Sequence, residues 1–267
     1  MVLFDYSREP RSDIAFVDMK SFYASCECIS LGLDPLKTSL CVMSRIENSA
    51  GLILAATPLF KKNFGSQNVS RSYNLPFDVH TRKFNYAAAH KQGLPITADY
   101  VRFIEDAAQK TLLVPPRMNY YIQKNMEIQK IFQDFAAPDD IFPYSIDEGF
   151  LDLTSSINYF IPDQTLDRRT KLDLLAARIQ QAIWKKTGIY ASIGLSNSNP
   201  LLAKLALDIE AKHTKKMRVN WSYEDVPSKV WTIPTMTDFW GIGHRTATRL
   251  KKLGIHSIYD LAHFNPD

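Results

Sequence analysis

The chain has 267 residues, 45% hydrophobic and 22% charged, which is longer than one small core needs and implies two or three packed units. Its 10 glycines and 14 prolines exclude collagenous and disordered classes, and its net charge is only +4. No apolar run approaches the roughly 20 residues that cross a bilayer, and MVLFDYSREPR puts charges and a proline where a secretory segment is apolar, so a cytoplasmic protein without a membrane partner is expected.

In chain order, IAFVD from Ile14 to Asp18 is a short buried-strand pattern ending in a carboxylate, and Ser21 is expected to cap the helical run SFYASCECI. Cys26, Cys28 and Cys41 are few, odd in number and without Cys or His partners at zinc-site spacing, which implies a reduced compartment. LCVMS from Leu40 and GLILAA from Gly51 read as strands joined by a turn at RIEN, and Phe60 to Val79 reads as helix ends and loops. Between Arg82 and Leu113 a segment with a short helix capped by Thr97 or Asp99 reads as an insertion or lid.

From Met118, Ile122, Met126, Phe132 and Phe135 recur near helical spacing until Pro138 stops the run. In IFPYSIDEGFLDL, Phe142, Tyr144 and Ile146 alternate on one face, and Asp147, Glu148 and Gly149 sit where a hairpin would bend. Leu172, Leu175, Ile179 and Ile183 define an amphipathic helix ended by Gly188, with a strand following from Tyr190. The order implies an α+β fold, with helices on a mostly antiparallel sheet.

Residues 168–218 hold eleven Lys or Arg against three Asp or Glu. Such a basic stripe suits a polyanion such as nucleic acid, and the alternative is a solvated helix face. WGIGHRTATRLKKLGI from Trp240 reads as a helix-hairpin-helix, whose glycines let backbone N–H groups approach a phosphate; the alternative is a helix end followed by a surface helix.

If the strands that carry Asp18 and the Asp147–Glu148 pair are neighbours, three carboxylates converge at one sheet edge. Like charges so close need cations, and all-oxygen ligands suit Mg²⁺, with Mn²⁺ as the other choice. Two such ions can support an in-line displacement at phosphorus; the alternative is a pair of ordinary surface acids.

VDMKSFYASCE (Val17 to Glu27), YSIDEGFLDLT (Tyr144 to Thr154), IGLSNSNPLLAKLA (Ile193 to Ala206) and WGIGHRTATRL (Trp240 to Leu250) together resemble, in order, the motifs of Y-family translesion DNA polymerases. The nearest likeness is to the UmuC-like branch of Gram-positive bacteria. The resemblance implies a ferredoxin-like palm (1–22 and 113–208), small fingers (23–112, with an insertion at about 82–112) and a helical helix-hairpin-helix thumb (209–267). It implies template-directed addition of dNTPs to a primer 3′-OH by two Mg²⁺ ions, with low fidelity and DNA damage bypass in a bacterial cytoplasm, at the nucleoid when acting.

By the same resemblance Asp18, Asp147 and Glu148 are the metal-binding, catalytic carboxylates, and Met19 offers its backbone carbonyl. Phe22 and Tyr23 are the aromatic pair at the nucleotide sugar, with Tyr23 the steric gate that rejects ribonucleotides. Lys204 reaches the triphosphate, as does Lys62, for which Lys61 is the competing assignment. Gly241, Gly243, Arg245 and Arg249 contact DNA. Leu59, Lys20 and Pro200 depart from frequent family residues. Members continue into a little-finger domain and a sliding-clamp peptide; this chain stops at Asp267, so weaker DNA affinity is expected and a clamp partner only through a C-terminal region absent here. The rivals are a nucleotidyl cyclase on a similar sheet, and a truncated, catalytically weak DNA-binding or regulatory protein of the same family.

Overall fold

The computed structural model of the chain describes residues 5–45, 50–65 and 70–265. The α+β plan is as expected. In order it runs β1 (Ile14–Met19), α1 (Phe22–Ser30), β2 (Leu40–Met43), β3 (Ile53–Ala56), α2 (Pro58–Phe64), α3 (Tyr86–Gln92), α4 (Ala98–Gln109), β4 (Leu112–Val114) and α5 (Met118–Phe132). It continues through β5 (Ile141–Pro143), β6 (Glu148–Asp152), α6 (Ile157–Phe160), α7 (Arg168–Thr187), β7 (Ala191–Ser196), α8 (Pro200–Ile209), β8 (Arg218–Asn220), α9 (His244–Lys252) and α10 (Ile258–Ala262). These fall into two compact units: one comprises the chain through Asp18, Gln129–Ile183 and everything from Ala191; the other comprises Met19–Ile128 and Trp184–Tyr190. Among the described residues no helix is long and apolar enough to cross a membrane.

The first unit holds a five-stranded sheet ordered β5-β6-β1-β7-β8, with β6 antiparallel to β1 and β5 and β7 parallel to β8. Strand β7 is buried along its whole length. Helix α8 lies so close over it that a Cβ on Gly194 would strike the Ala203 carbonyl oxygen and the Leu207 amide. Asn199 starts that helix by accepting the Leu202 amide, and Pro200 occupies its first turn. Ile14, Phe16, Ala203, Leu207 and Ala211 form the core beneath it. The expected stripe Leu172, Leu175, Ile179 and Ile183 on α7 is fully buried.

The β5–β6 hairpin bends earlier than the sequence suggests, because the amides of both Tyr144 and Ser145 bond to the Glu148 carbonyl. Glu148 and Gly149, which have turn composition, instead open β6 and pair with Asp18 and Val17. Pairing with β1 overrides local turn preference.

Part of the basic stripe is paired within the fold. Among the described residues its cations pair as Arg168 with Asp13, Arg169 with Asp225, Lys204 with Glu148, Lys212 with Asp18 and Arg218 with Asp173. Asp13 is completely buried and receives Arg168 Nε at 2.8 and 2.7 Å and Asn197 Nδ2 at 2.6 Å. These five charges hold α7, β8 and the α8 region to their neighbours in the fold.

In the second unit β2 pairs antiparallel with β3 and parallel with β4. Most of the RIEN turn, residues 46–48, lies outside the described residues, as do 66–69 in the predicted loop. Thr57 caps α2 by accepting the Phe60 amide, and Thr97 caps α4 by accepting that of Tyr100. Segment 82–112 packs inward: Phe84, Ala89, Ile104 and Ala108 share one buried core with Phe60, Phe64 and Phe77.

Helix α5 buries Tyr121, Ile128, Ile131 and Phe132, whereas Ile122 and Met126 of the predicted apolar face are exposed. The helix is apolar on two sides, so spacing alone does not select the inner one. Ser21 does precede α1, but its side chain makes no cap bond. Its backbone is left-handed (φ 50°), the sharp turn from β1 into the helix, and Ser25 Oγ donates to the Lys20 carbonyl at 2.6 Å.

Candidate active site

Asp18 and Glu148 are the last register pair between β1 and β6, so their side chains leave the same face of the sheet. Both are nearly buried, 16% and 13% exposed, and two ammonium groups meet them. Lys204 Nζ donates to Glu148 Oε1 at 2.7 Å, and Lys212 Nζ lies 3.0 Å from Asp18 Oδ2 and 3.5 Å from Glu148 Oε1. Asp208 ties the two lysines together, 3.0 Å from Lys204 and 2.9 Å from Lys212. Lys204 also lies 5.0 Å above the Phe16 ring and 5.8 Å above that of Tyr144.

Burial pushes the Asp18 carboxyl up to about 7; the Lys212 charge opposes that rise and neighbouring Glu148 adds to it. Burial acts on Glu148 in the same direction, but its hydrogen bonds with Asp18 and Lys204 outweigh it and hold this carboxyl below the usual range. Burial would lower Lys212, yet the charges of Asp18 and Asp208 hold it above the ordinary ammonium value. Burial thus favours a proton on Asp18, and the two ammonium groups supply the positive charge that meets the pair.

Asp147 is not brought to this pair. It sits in the turn one residue before β6, out of phase with Glu148, where its Oδ1 accepts Ser145 Oγ at 2.7 Å. Among the described residues no group of three or more His, Cys, Asp or Glu stands close enough to hold a metal ion. The donor chemistry of Asp18 and Glu148 nevertheless fits a hard divalent cation: two carboxylates on paired strands, shielded from bulk water and already attracting positive charge.

Met19 ends β1 with its side chain buried. In the second unit Phe22 is buried at the start of α1, and half-buried Tyr23 stacks on Tyr121 with ring centroids 4.3 Å apart and planes 13° apart. Lys62 is exposed in the last turn of α2, and Lys61 is half-buried. In the first unit, Gly241 takes a left-handed φ of 88°, and Gly243 precedes α9 with an ordinary φ of −84°. Both glycines are exposed, as are Arg245 and Arg249 one helical turn apart on α9.

Sequence reading missed Asp208 and Lys212. Their signal was the spacing Lys204, Asp208, Lys212, four residues each, which aligns three charges on one side of α8 and the turn beyond it.

The sequence matches the impB/mucB/samB family over residues 17–208, and the HHH motif of the IMS family over 223–255. The chain belongs to the impB/mucB/samB family. This bears out the Y-family, UmuC-like resemblance of the four motifs, and the helix-hairpin-helix expected from Trp240 begins within the second match. UvrX of Bacillus subtilis (strain 168), named for UV-damage repair, is 34% identical over 262 residues, 98% of this chain and 52% of that protein. DNA polymerase IV 2 of the same strain is 30% identical over 256 residues, 95% of this chain and 51% of that one. The impB/mucB/samB chain thus spans about half the length of these curated relatives. Its fold is similar to that in the insertion ternary complex of Dbh DNA polymerase, with a TM-score of 0.65 and 23% identity, covering 95% of this chain and 61% of that one. DinB from Sulfolobus solfataricus is likewise similar, with a TM-score of 0.61 and 22% identity, over 95% of this chain and 60% of the other.

Proposed function

We propose that this chain is the catalytic part of a translesion DNA polymerase, which adds dNTPs to a primer 3′-OH on a DNA template with low fidelity. The observation that carries the reading is the register pair Asp18–Glu148, two shielded carboxylates held ready for cations in a chain of this family. Palm (1–22 and 113–208), fingers (23–112) and thumb (209–267) are the divisions that go with it.

In this reading Asp18, Asp147, Glu148 and the Met19 carbonyl would hold two Mg²⁺ or Mn²⁺ ions, which supply Lewis acidity at the triphosphate and acidify the primer hydroxyl. Lys204, and Lys62 on the exposed end of α2, offer ammonium charges to the triphosphate as point charges without the bidentate grip of arginine. Tyr23 excludes a 2′-OH by contact. The α9 hairpin with Gly241, Gly243, Arg245 and Arg249 grips the DNA backbone.

Primer extension with single dNTPs at low salt, with Mg²⁺ and with EDTA, tests the reading. Template-directed, EDTA-sensitive addition is expected. A catalytically weak DNA-binding member of the family is the second reading, favoured by Asp147 lying in its turn and by ammonium groups filling the carboxylate pair. Retained binding to primed DNA without extension would select it.

Two further outcomes are expected. Tyr23→Ala raises ribonucleotide insertion relative to deoxyribonucleotide, measured as the ratio of kcat/KM values, and an unchanged ratio removes Tyr23 from the gate. Gly241→Val with Gly243→Val weakens DNA binding and flattens its salt dependence: side chains at these open positions push phosphates away, and valine at φ 88° is strained. An unaltered salt slope means that the hairpin touches no phosphate.

A further inference from the structure

A buried carboxylate stands beside Tyr23 with no part in the chemistry above. Glu27 follows Tyr23 by one turn of α1, and Tyr121 follows Arg117 by one turn at the start of α5, so each helix presents its pair on one side. The two pairs mesh. Tyr121 OH donates to Glu27 Oε1 at 2.7 Å, Arg117 Nε donates to Oε1 and Oε2 at 3.0 and 3.1 Å, and Arg117 Nη2 donates to Oε2 at 2.7 Å. The Glu27 side chain is only 5% exposed and Tyr121 is wholly buried, while Arg117 is 46% exposed and lies 4.5 Å above the Tyr120 ring.

Packing alone does not require this. A leucine at position 27 would fill a buried site without the cost of desolvating a charge, which only a well-formed set of hydrogen bonds offsets. What the carboxylate adds is direction. Stacked rings slide over one another at little cost, so a Tyr121 ring held by apolar contact alone would be a loose platform for the ring stacked on it. The bond from Tyr121 OH to Glu27 fixes the lower ring in its own plane, and the Arg117 fork fixes Glu27 in turn.

We propose that Glu27 and Arg117 are positioning residues that set the Tyr23 ring through Tyr121 and thereby sharpen discrimination between deoxyribose and ribose. The proposal rests on reading Tyr23 as the sugar gate. Exclusion by contact depends on the ring edge being held to a fraction of an ångström, since a ring free to slide back admits the extra hydroxyl.

Single-nucleotide insertion by the full chain, with dNTP and rNTP compared as kcat/KM, tests it in Tyr121→Phe, Glu27→Gln, Arg117→Lys and Tyr23→Ala. Tyr121→Phe removes one oxygen, Glu27→Gln keeps shape and loses charge, and Arg117→Lys keeps charge and loses the fork. Each is expected to raise the rNTP-to-dNTP ratio roughly fivefold to tenfold, the yield of losing one charge-assisted hydrogen bond, while dNTP insertion stays within about twofold. Adding Glu27→Gln to Tyr23→Ala is expected to raise the ratio no further, because the ring it positions is gone.

Equal losses with both nucleotides would mean a merely structural role and overturn the proposal. A ratio that moves in Tyr23→Ala but not in Tyr121→Phe or Glu27→Gln overturns the positioning and leaves the gate standing; a ratio unmoved in Tyr23→Ala overturns both. A readout free of activity completes the test. In chain labelled with 3-fluorotyrosine, the ¹⁹F resonance identified by its loss in Tyr23→Phe is expected to shift in Tyr121→Phe and in Glu27→Gln, and a resonance that stays in place overturns the proposal.

Discussion

Glu148→Gln is expected to lower primer extension by about three orders of magnitude, a loss of roughly 4 kcal/mol in transition-state stabilisation. Glutamine keeps the shape of Glu148 and an oxygen that can accept from Lys204 Nζ, so the fold is retained; what disappears is the charge that pairs with Asp18 in attracting a divalent ion. The informative comparison is Asp208→Asn, since Asp208 touches the same two lysines but is not a proposed metal ligand. Its extension rate is expected to fall by less than about tenfold, as befits a group that only orients two ammoniums. Equal losses in the two variants would show that the lysine charges, and not a metal ion, are what Glu148 serves. Thermal melting of both proteins checks that neither effect is unfolding.

The largest effect on stability is expected from Gly194→Ala. A methyl at that point of β7 would meet the carbonyl oxygen of Ala203, the amide of Leu207 and, at 2.6 Å, the Leu207 Cβ. Two of these are backbone atoms of α8, so no rotamer change relieves the clash, and the helix must lift off the sheet. Lifting it would open the core of Ile14, Phe16, Ala203, Leu207 and Ala211 and carry Lys204 away from Glu148. A destabilisation of about 3 kcal/mol or more follows, the upper range for overpacking a tight interior, and thermal melting measures it. At about 2–4 °C per kcal/mol for a chain of this size the melting temperature falls by roughly 6–12 °C.

Elements with strong local signals were legible in the sequence. The apolar runs of β1 and β7 and the four-residue stripe of α7 each combine composition with a stop or start signal, and the structure follows them. The three-residue strands β4 and β8 carry no such signal; they are strands because β2 and β7 offer them free edges. Helix α5 was found but its inner side was misjudged, since Met118, Ile122 and Met126 make as good an apolar stripe as the side that is buried.

At the site, the sequence named Asp18 and Glu148 as candidates but left their pairing conditional on the strands being neighbours, because Glu148 has turn composition and joins β6 only through its pairing with β1; the pose of Asp147 depends on where that turn closes. The pairing of charges within the basic stripe was not legible because the partners are remote in sequence: Asp13 and Arg168 are 155 residues apart, and no local pattern announces that such a charge meets its partner inside the fold.

All three cysteines, Cys26, Cys28 and Cys41, are completely buried, and burial pushes each thiol up to about 12. At pH 8 only about one thiol in ten thousand is then the reactive thiolate, so alkylating reagents and peroxide find almost no target while the chain is folded. Every one of them lies in the unit built on β2, β3 and β4, and the unit that carries Asp18 and Glu148 has none. The rate of thiol alkylation under native conditions is therefore a clock for the transient opening of one half of the molecule, readable without labels and blind to the half that holds the carboxylates.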